Sequence, residues 1–175
     1  MRSKIFLFLA SITMTGCAIT DVNTYQAERP RLKLEEYFNG KLDAWGMFQK
    51  RDGTVVKRFK VIIDARWEGD HGVLDEHFVY SDGSTQQRVW QITNTGDGTY
   101  NGKADDVVGI AQGRVAGNSL HWTYTLRLPI DDDVYDVQFD DWMYLQEDGV
   151  MLNRSVMKKF GFRLGEVTLF FKRRP

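Results

Sequence analysis

The sequence is short of cysteine, proline and histidine, and it carries no excess of either charge. A single cysteine, Cys17, among 175 residues excludes a disulfide framework and any paired-thiol metal site. Three prolines beside 13% aromatic residues are wrong for a disordered chain. With 23 basic and 24 acidic side chains the formal net charge is −1, which argues against nucleic acid as a partner. After the N-terminus no stretch reaches the ~18 consecutive apolar residues of a membrane-spanning helix. A Gly-x-Ser-x-Gly nucleophile elbow is missing, and so is a His-x-x-x-His pair. What is present is a chain 42% hydrophobic, long enough for one domain and a short appendage. A domain of that size buries roughly 70% of its unfolded surface without staples.

The first residues have the layout of an export signal. Arg2 and Lys4 form a basic head, Ile5 to Ala10 an apolar run, and Ser11, Thr13, Thr15 and Gly16 a small-residue region before Cys17. The apolar run is too short to span a bilayer, so residues 1–16 read as a signal peptide. The alternative is an N-terminal helix with Cys17 as an ordinary buried thiol. Met14-Thr15-Gly16-Cys17 resembles a bacterial lipobox, with Met14 where Leu is commoner. That resemblance implies cleavage before Cys17 and acylation of Cys17, which would anchor the chain in a membrane through its lipid. Ala18, in place of the Asp usual in lipoproteins retained in the inner membrane, points to the outer membrane, facing the periplasm.

Residues 17–31 are polar, without periodicity, and contain Pro30, so they read as a tether. Leu32 to Phe38 is long enough for two helical turns, closed by Asn39-Gly40. From there to the C-terminus, residues 32–175 have the rhythm of strands. Turn signals fall at Arg51-Asp52-Gly53, Glu68-Gly69-Asp70, Ser81-Asp82-Gly83, Thr95-Gly96-Asp97-Gly98, Ala116-Gly117-Asn118 and Glu147-Asp148-Gly149. Between them apolar and polar residues alternate: Val55, Phe59, Val61, Ile63, Ala65 and Trp67 against Arg58, Lys60, Asp64 and Arg66. The pattern predicts an all-β chain: one antiparallel, lipocalin-like barrel of about 8–10 strands, from near Lys41 to near Arg173, with a short N-terminal helix. A β-sandwich is the alternative, since alternation alone does not tell closure from stacking.

Several strings are more specific. Tyr37-Phe-Asn-Gly40, Ala44-Trp-Gly46, Ala104-Asp-Asp-Val-Val-Gly-Ile-Ala-Gln-Gly113, Gly117-Asn118, Phe139-Asp-Asp-Trp-Met-Tyr-Leu145, Asn153-Arg-Ser155 and Lys159-Phe-Gly161 occur in this order. Together they resemble the DUF3833 family of bacterial lipoproteins, whose function is uncharacterised. The resemblance implies a lipocalin-like barrel and a lipid anchor, and genomic neighbours that modify membrane fatty acids. It marks Asp105, Asp106, Asp140, Asp141, Trp142 and Asn153 as family-motif positions, and it implies no set of catalytic residues.

Chemistry-bearing clusters are sparse. His71, His77 and His121 fall in a predicted turn and on separate strands, which is no metal-ligand spacing. The acidic run Asp131-Asp132-Asp133 lacks the spacing of a calcium loop and reads as a hairpin loop. Asp140 and Asp141 are adjacent, so a regular strand sends them to opposite faces, which suits neither an acid–base pair nor a shared site. No cofactor, metal or catalytic residue is expected, and a non-enzymatic role follows. Gly109 and Gly113 are read as bends in one strand, and Lys172-Arg173-Arg174 as a solvated basic tail.

The informative polar residues lie on otherwise apolar faces. Leu74, Glu76, Phe78 and Tyr80 share one face; Arg88, Trp90 and Ile92 share the next. If both faces turn inward, Glu76 and Arg88 are cross-strand neighbours, which requires an odd loop between them, such as three residues with Gly83 or Ser84 at the bulge. Arg154 and Lys158, beside Leu152 and Val156, are expected inside as well. The candidate cavity wall is therefore Trp67, Glu76, Phe78, Arg88, Trp90, Trp122, Tyr124 and Arg154. The expected role is binding or handing over a hydrophobic ligand such as a fatty acid or lipid acyl chain. A filled barrel acting through its surface as an envelope assembly factor is the rival, and a lipid-modifying enzyme using Asp140 or Asp141 is a third possibility.

Overall fold

The computed structural model describes residues 20–175 apart from Asp131, so the signal-peptide and Cys17 readings lie outside the described residues. Ten antiparallel strands follow one another: β1 Gly40–Lys50, β2 Val55–Glu68, β3 His71–Tyr80, β4 Thr85–Gly96, β5 Thr99–Lys103, β6 Ala111–Ala116, β7 Ser119–Ile130, β8 Asp133–Leu145, β9 Val150–Lys159 and β10 Phe162–Arg173. Each pairs with its neighbours in sequence, and β1 pairs with β10 from Leu42↔Arg173 to Lys50↔Gly165, so the sheet closes on itself. Closure removes both free edges and decides for the barrel over the sandwich.

The alternation read from the sequence becomes inside and outside. In β2, Phe59, Val61, Ile63 and Ala65 are buried while Arg58, Lys60, Asp64 and Arg66 face solvent. The β3–β4 hairpin turns on three residues, Ser81-Asp82-Gly83. Tyr80 N–H donates to the Ser84 carbonyl at 2.9 Å, and Gly83 takes a left-handed φ of 82° that disfavours side chains. The odd loop sets Glu76 opposite Arg88 in register.

One end of the barrel is closed by the segment before β1. A single helical turn, α1 (Leu34–Tyr37), is shorter than the two turns expected and buries Leu34 and Tyr37. Tyr37 Oη donates to the Phe171 carbonyl at 3.3 Å, and Tyr100 Oη donates to Glu35 Oε2 at 2.8 Å. Trp67 belongs to this closure. Its Nε1 donates to the Phe38 carbonyl at 2.9 Å, and it lies outside the central cavity described below, contrary to the cavity-wall reading. The indole N–H found a backbone partner at the barrel's end, and its ring covers Gly72.

The polar stretch before α1 is not a free tether over its described length. Val22–Tyr25 forms a 3-10 turn with Val22 buried, and Leu32 N–H donates to the Gly117 carbonyl at 2.8 Å. Gly117, at φ 57°, lets the Tyr25 carbonyl come so close that a Cβ there would overlap it. The glycine reading is corrected too: Gly109 lies in the connection between β5 and β6, with φ 76°, and only Gly113 sits in a strand. Gly113 makes room for Trp122 rather than bending the sheet, since a Cβ there would overlap the indole.

Candidate functional site

The inward side chains leave the barrel hollow. They line a cavity of about 190 Å³. That is below the ~300–1,000 Å³ of pockets for drug-sized ligands, and above the ~150 Å³ apolar cavity that admits benzene. Most of the wall is hydrocarbon, from Ile63, Leu74, Phe78, Leu126 and Phe139. Trp90 meets Trp122 edge-on at 6.0 Å and Tyr124 at 5.5 Å, and Tyr124 stacks on Phe139 at 5.0 Å. Gly102 and Gly113 let the Trp122 ring lie against the backbone of β5 and β6, which keeps space open in the middle.

Polar groups enter this wall from five strands, and one of them is paired from a loop. Arg88, on β4, donates to Asp106 through Nε at 3.0 Å and Nη2 at 2.6 Å. Asp106 sits in the loop after β5, where the β4–β5 register, extended beyond its last pair, places it opposite Arg88. Burial works against the Arg88 charge, but the Asp106 bonds together with the negative field of Glu76 and Asp106 more than offset it and its pKa is raised. Glu76, directly opposite Arg88, makes no such pair, and burial pushes its carboxyl up to about 7 against the pull of Arg88.

A second group forms where β8 and β9 pass. Asp141, 5% exposed, accepts from Asn153 Nδ2 and from Tyr124 Oη at 3.3 Å. Burial pushes its carboxyl up to about 7 despite both bonds. Asn153 Nδ2 also donates to the Trp142 carbonyl at 3.1 Å, which fixes the amide. Ser155 is paired in register with Asp141 and is 2% exposed, yet its Oγ has no hydrogen-bond partner. An orphaned buried hydroxyl on a cavity wall is an open position for a ligand.

The structure divides the sequence-predicted residues. Glu76, Phe78, Arg88, Trp90, Trp122 and Tyr124 all line the cavity. Arg154 does not: its side chain is 62% exposed and donates to Glu166 on the outer face, with Nε at 3.0 Å. The parity of β9 is the reverse of the one inferred from Leu152 and Val156. Leu152 is exposed, and Met151, Asn153 and Ser155 are the inward set. Lys158 also faces out and donates to Asp140 Oδ2 at 3.0 Å.

The Asp140-Asp141-Trp142 string splits across the sheet as adjacency requires. Asp141 points inward, while Asp140 holds Lys158 and His121 Nε2, the latter at 2.9 Å. Those two bonds outweigh burial and lower the Asp140 pKa. Trp142 stacks on His121 at 4.3 Å and meets Tyr25 edge-on at 6.0 Å, so it helps seat the 3-10 turn on the barrel's outer surface. Asp105 is exposed in its turn, one residue before Asp106. No group of three or more metal-ligating side chains occurs among the described residues.

The profile of one family, described as protein of unknown function (DUF3833), matches residues 11–173. The chain belongs to the DUF3833 family. No curated protein matches it. The match spans every motif position weighed above, and in this DUF3833 protein those positions serve three different purposes. Asp141 and Asn153 belong to the polar lining of the cavity, and Asp106 pairs with the lining residue Arg88; Asp140 and Trp142 act on the outer surface; Asp105 is solvated.

The sequence reading missed the partner of Arg88 and the place of Ser155. Asp106 was not foreseen as the Arg88 partner, because it lies beyond the end of β5, in the loop into which the β4–β5 register extends. Ser155 had a signal, since Met151, Asn153, Ser155 and Met157 alternate, but the apolar Leu152 and Val156 on the other face obscured it.

Proposed function

We propose that this DUF3833 protein is a binding protein for an elongated hydrophobic molecule, with the acyl chain of a fatty acid or lipid as the expected class. One observation carries the reading: a mostly hydrocarbon cavity of about 190 Å³ inside the barrel whose wall includes a buried hydroxyl with no partner, Ser155 Oγ. Apolar walls with a few polar groups favour burying a chain and orienting its head. The volume suits a narrow chain, not a fused ring system. The hollow favours this reading over the filled barrel of an assembly factor.

The role is non-catalytic. Asp140 and Asp141 face opposite sides of the wall, and Asp141 is held by Asn153 and Tyr124, so the pair does not work as acid and base on one substrate. We further propose anchoring through lipid on Cys17 at the outer membrane, facing the periplasm, with no cofactor. The described part of the leading segment docks beside Gly117, at the end that α1 closes. Such an anchor would turn the opposite end, formed by the β1–β2, β3–β4 and β9–β10 hairpins and the β5–β6 connection, away from the bilayer, which suits taking a ligand from the periplasmic side.

The test is extraction of the purified protein with organic solvent, followed by mass spectrometry. Recovery of an aliphatic molecule in near-stoichiometric amount supports the reading. Loss of that molecule when Ser155→Leu fills the cavity would place it inside the barrel. Recovery unchanged by that substitution would refute the cavity as its site.

A further inference from the structure

The charges that line the cavity do not balance. Asp106 is committed to Arg88 by bonds of 2.6–3.0 Å, and that pair is neutral as a unit. Glu76 on β3 and Asp141 on β8 remain as two carboxyls without a cationic partner of their own. Asp141 has only uncharged donors, Asn153 and Tyr124, and the charge on Asp141 further opposes ionisation of Glu76. From β1, β2 and β10 the side chains facing this region are apolar, among them Phe48, Val61, Val167 and Phe171. Beside Asp141, Ser155 Oγ is buried with no partner.

Resting on the chain-binding reading, we infer that the cavity selects an amphiphile with a primary ammonium head, held by Asp141, Glu76 and Ser155, and rejects a free carboxylate head. An alkylammonium has three N–H donors, and these three side chains offer three acceptors. Its charge supplies the counter-ion the wall lacks, where low dielectric makes that attraction strong. A carboxylate would add a further negative charge beside two buried carboxyls, where an unpaired charge is costly. A fatty acid therefore enters as its neutral, protonated form. Because burial keeps protons on Asp141 and Glu76 up to about pH 7, ammonium binding at neutral pH displaces a proton from the pair.

The experiment compares octylamine, 1-octanol and octanoate, three heads on one chain, by calorimetry on the purified protein at pH 8. Octylamine is expected to bind about tenfold or more tighter than octanoate, with octanol between them. Asp141→Asn, which keeps the shape and removes the charge, is expected to shrink the octylamine advantage while octanol binding persists. Glu76→Gln serves the same purpose should Asp141→Asn fail to fold. Octanoate binding as tightly as octylamine at pH 8 would overturn the head-group inference and leave chain binding standing. If none of the three binds, chain binding itself falls.

Discussion

Arg88 bypasses its direct cross-strand neighbour Glu76 and forms its bidentate pair with Asp106, in a loop eighteen residues further along the chain. That choice gives the barrel one neutral ion pair and leaves Glu76 facing the cavity with a raised pKa. It also pins the β5–β6 connection across a gap in the wall. There Val107 bridges to Leu126, and Arg127 N–H donates to the Asp106 carbonyl at 2.8 Å.

Breaking the pair from one side strands the other charge. Asp106→Asn or Arg88→Ala is expected to cost about 3–5 kcal/mol, read as a lower midpoint in chemical unfolding. Replacing both, as Arg88→Met with Asp106→Leu, should recover most of the loss. A double variant as unstable as the two single ones summed would show that the pair contributes more than its own neutralisation.

Glu76 and Asp141 give stability an unusual pH dependence. Both folded pKa values, about 7, exceed the unfolded range near 4, so the folded protein binds more protons between those limits. Their contribution is complete below about pH 4 and is lost as pH rises towards 7. Asp43 and Asp82, lowered chiefly by hydrogen bonds from Arg174 and Lys57, act in the opposite sense below about pH 4. Asp141→Asn is therefore expected to be more stable than the parent at pH 8, by about 2–4 kcal/mol, with the difference shrinking towards pH 5. A constant difference across that range would contradict the buried, protonated carboxyl.

Gly113 is required by the Trp122 ring. Gly113→Ala is expected to displace the indole, destabilise by about 1–3 kcal/mol and shift tryptophan emission. Arg154→Ala, on the outer face, should change stability by less than about 1 kcal/mol and leave ligand affinity unaltered. A large affinity loss in the latter would restore Arg154 to the cavity.

The proposed lipid anchor has its own check. Cys17→Ser is expected to abolish processing and release the protein from the outer-membrane fraction. A Cys17→Ser protein processed normally and still in that fraction would rule the anchor out.

Strand order and the inward faces of β2 and β7 were legible in the sequence because one face of each is apolar and the other polar or charged. Those of β3 and β4 were legible through Leu74, Phe78, Trp90 and Ile92, which carry Glu76 and Arg88 inward with them. The three-residue turn at Ser81-Asp82-Gly83 then carried that parity correctly from Glu76 to Arg88. Parity failed at β9, where the outer face carries Leu152 and Val156 while the inner face carries Asn153 and Ser155. A polar cavity wall and an apolar outer face invert the usual signal. Trp67 was misplaced for a different reason: α1 folds over the barrel's end and offers the Phe38 carbonyl, a contact that no local pattern encodes. The Arg88 partner was hidden likewise, since Asp106 reaches the wall from a loop.

The most direct test of the central claim uses the tryptophans that line the cavity, Trp90 and Trp122. Titration with a short bromoalkane, whose heavy atom quenches only at contact, is followed by tryptophan emission in the parent and in Ser155→Leu. The cavity reading predicts saturable quenching with one site per chain, abolished in Ser155→Leu while the fold persists by circular dichroism. Linear, non-saturating quenching that is identical in the two proteins would mean that no chain enters the barrel.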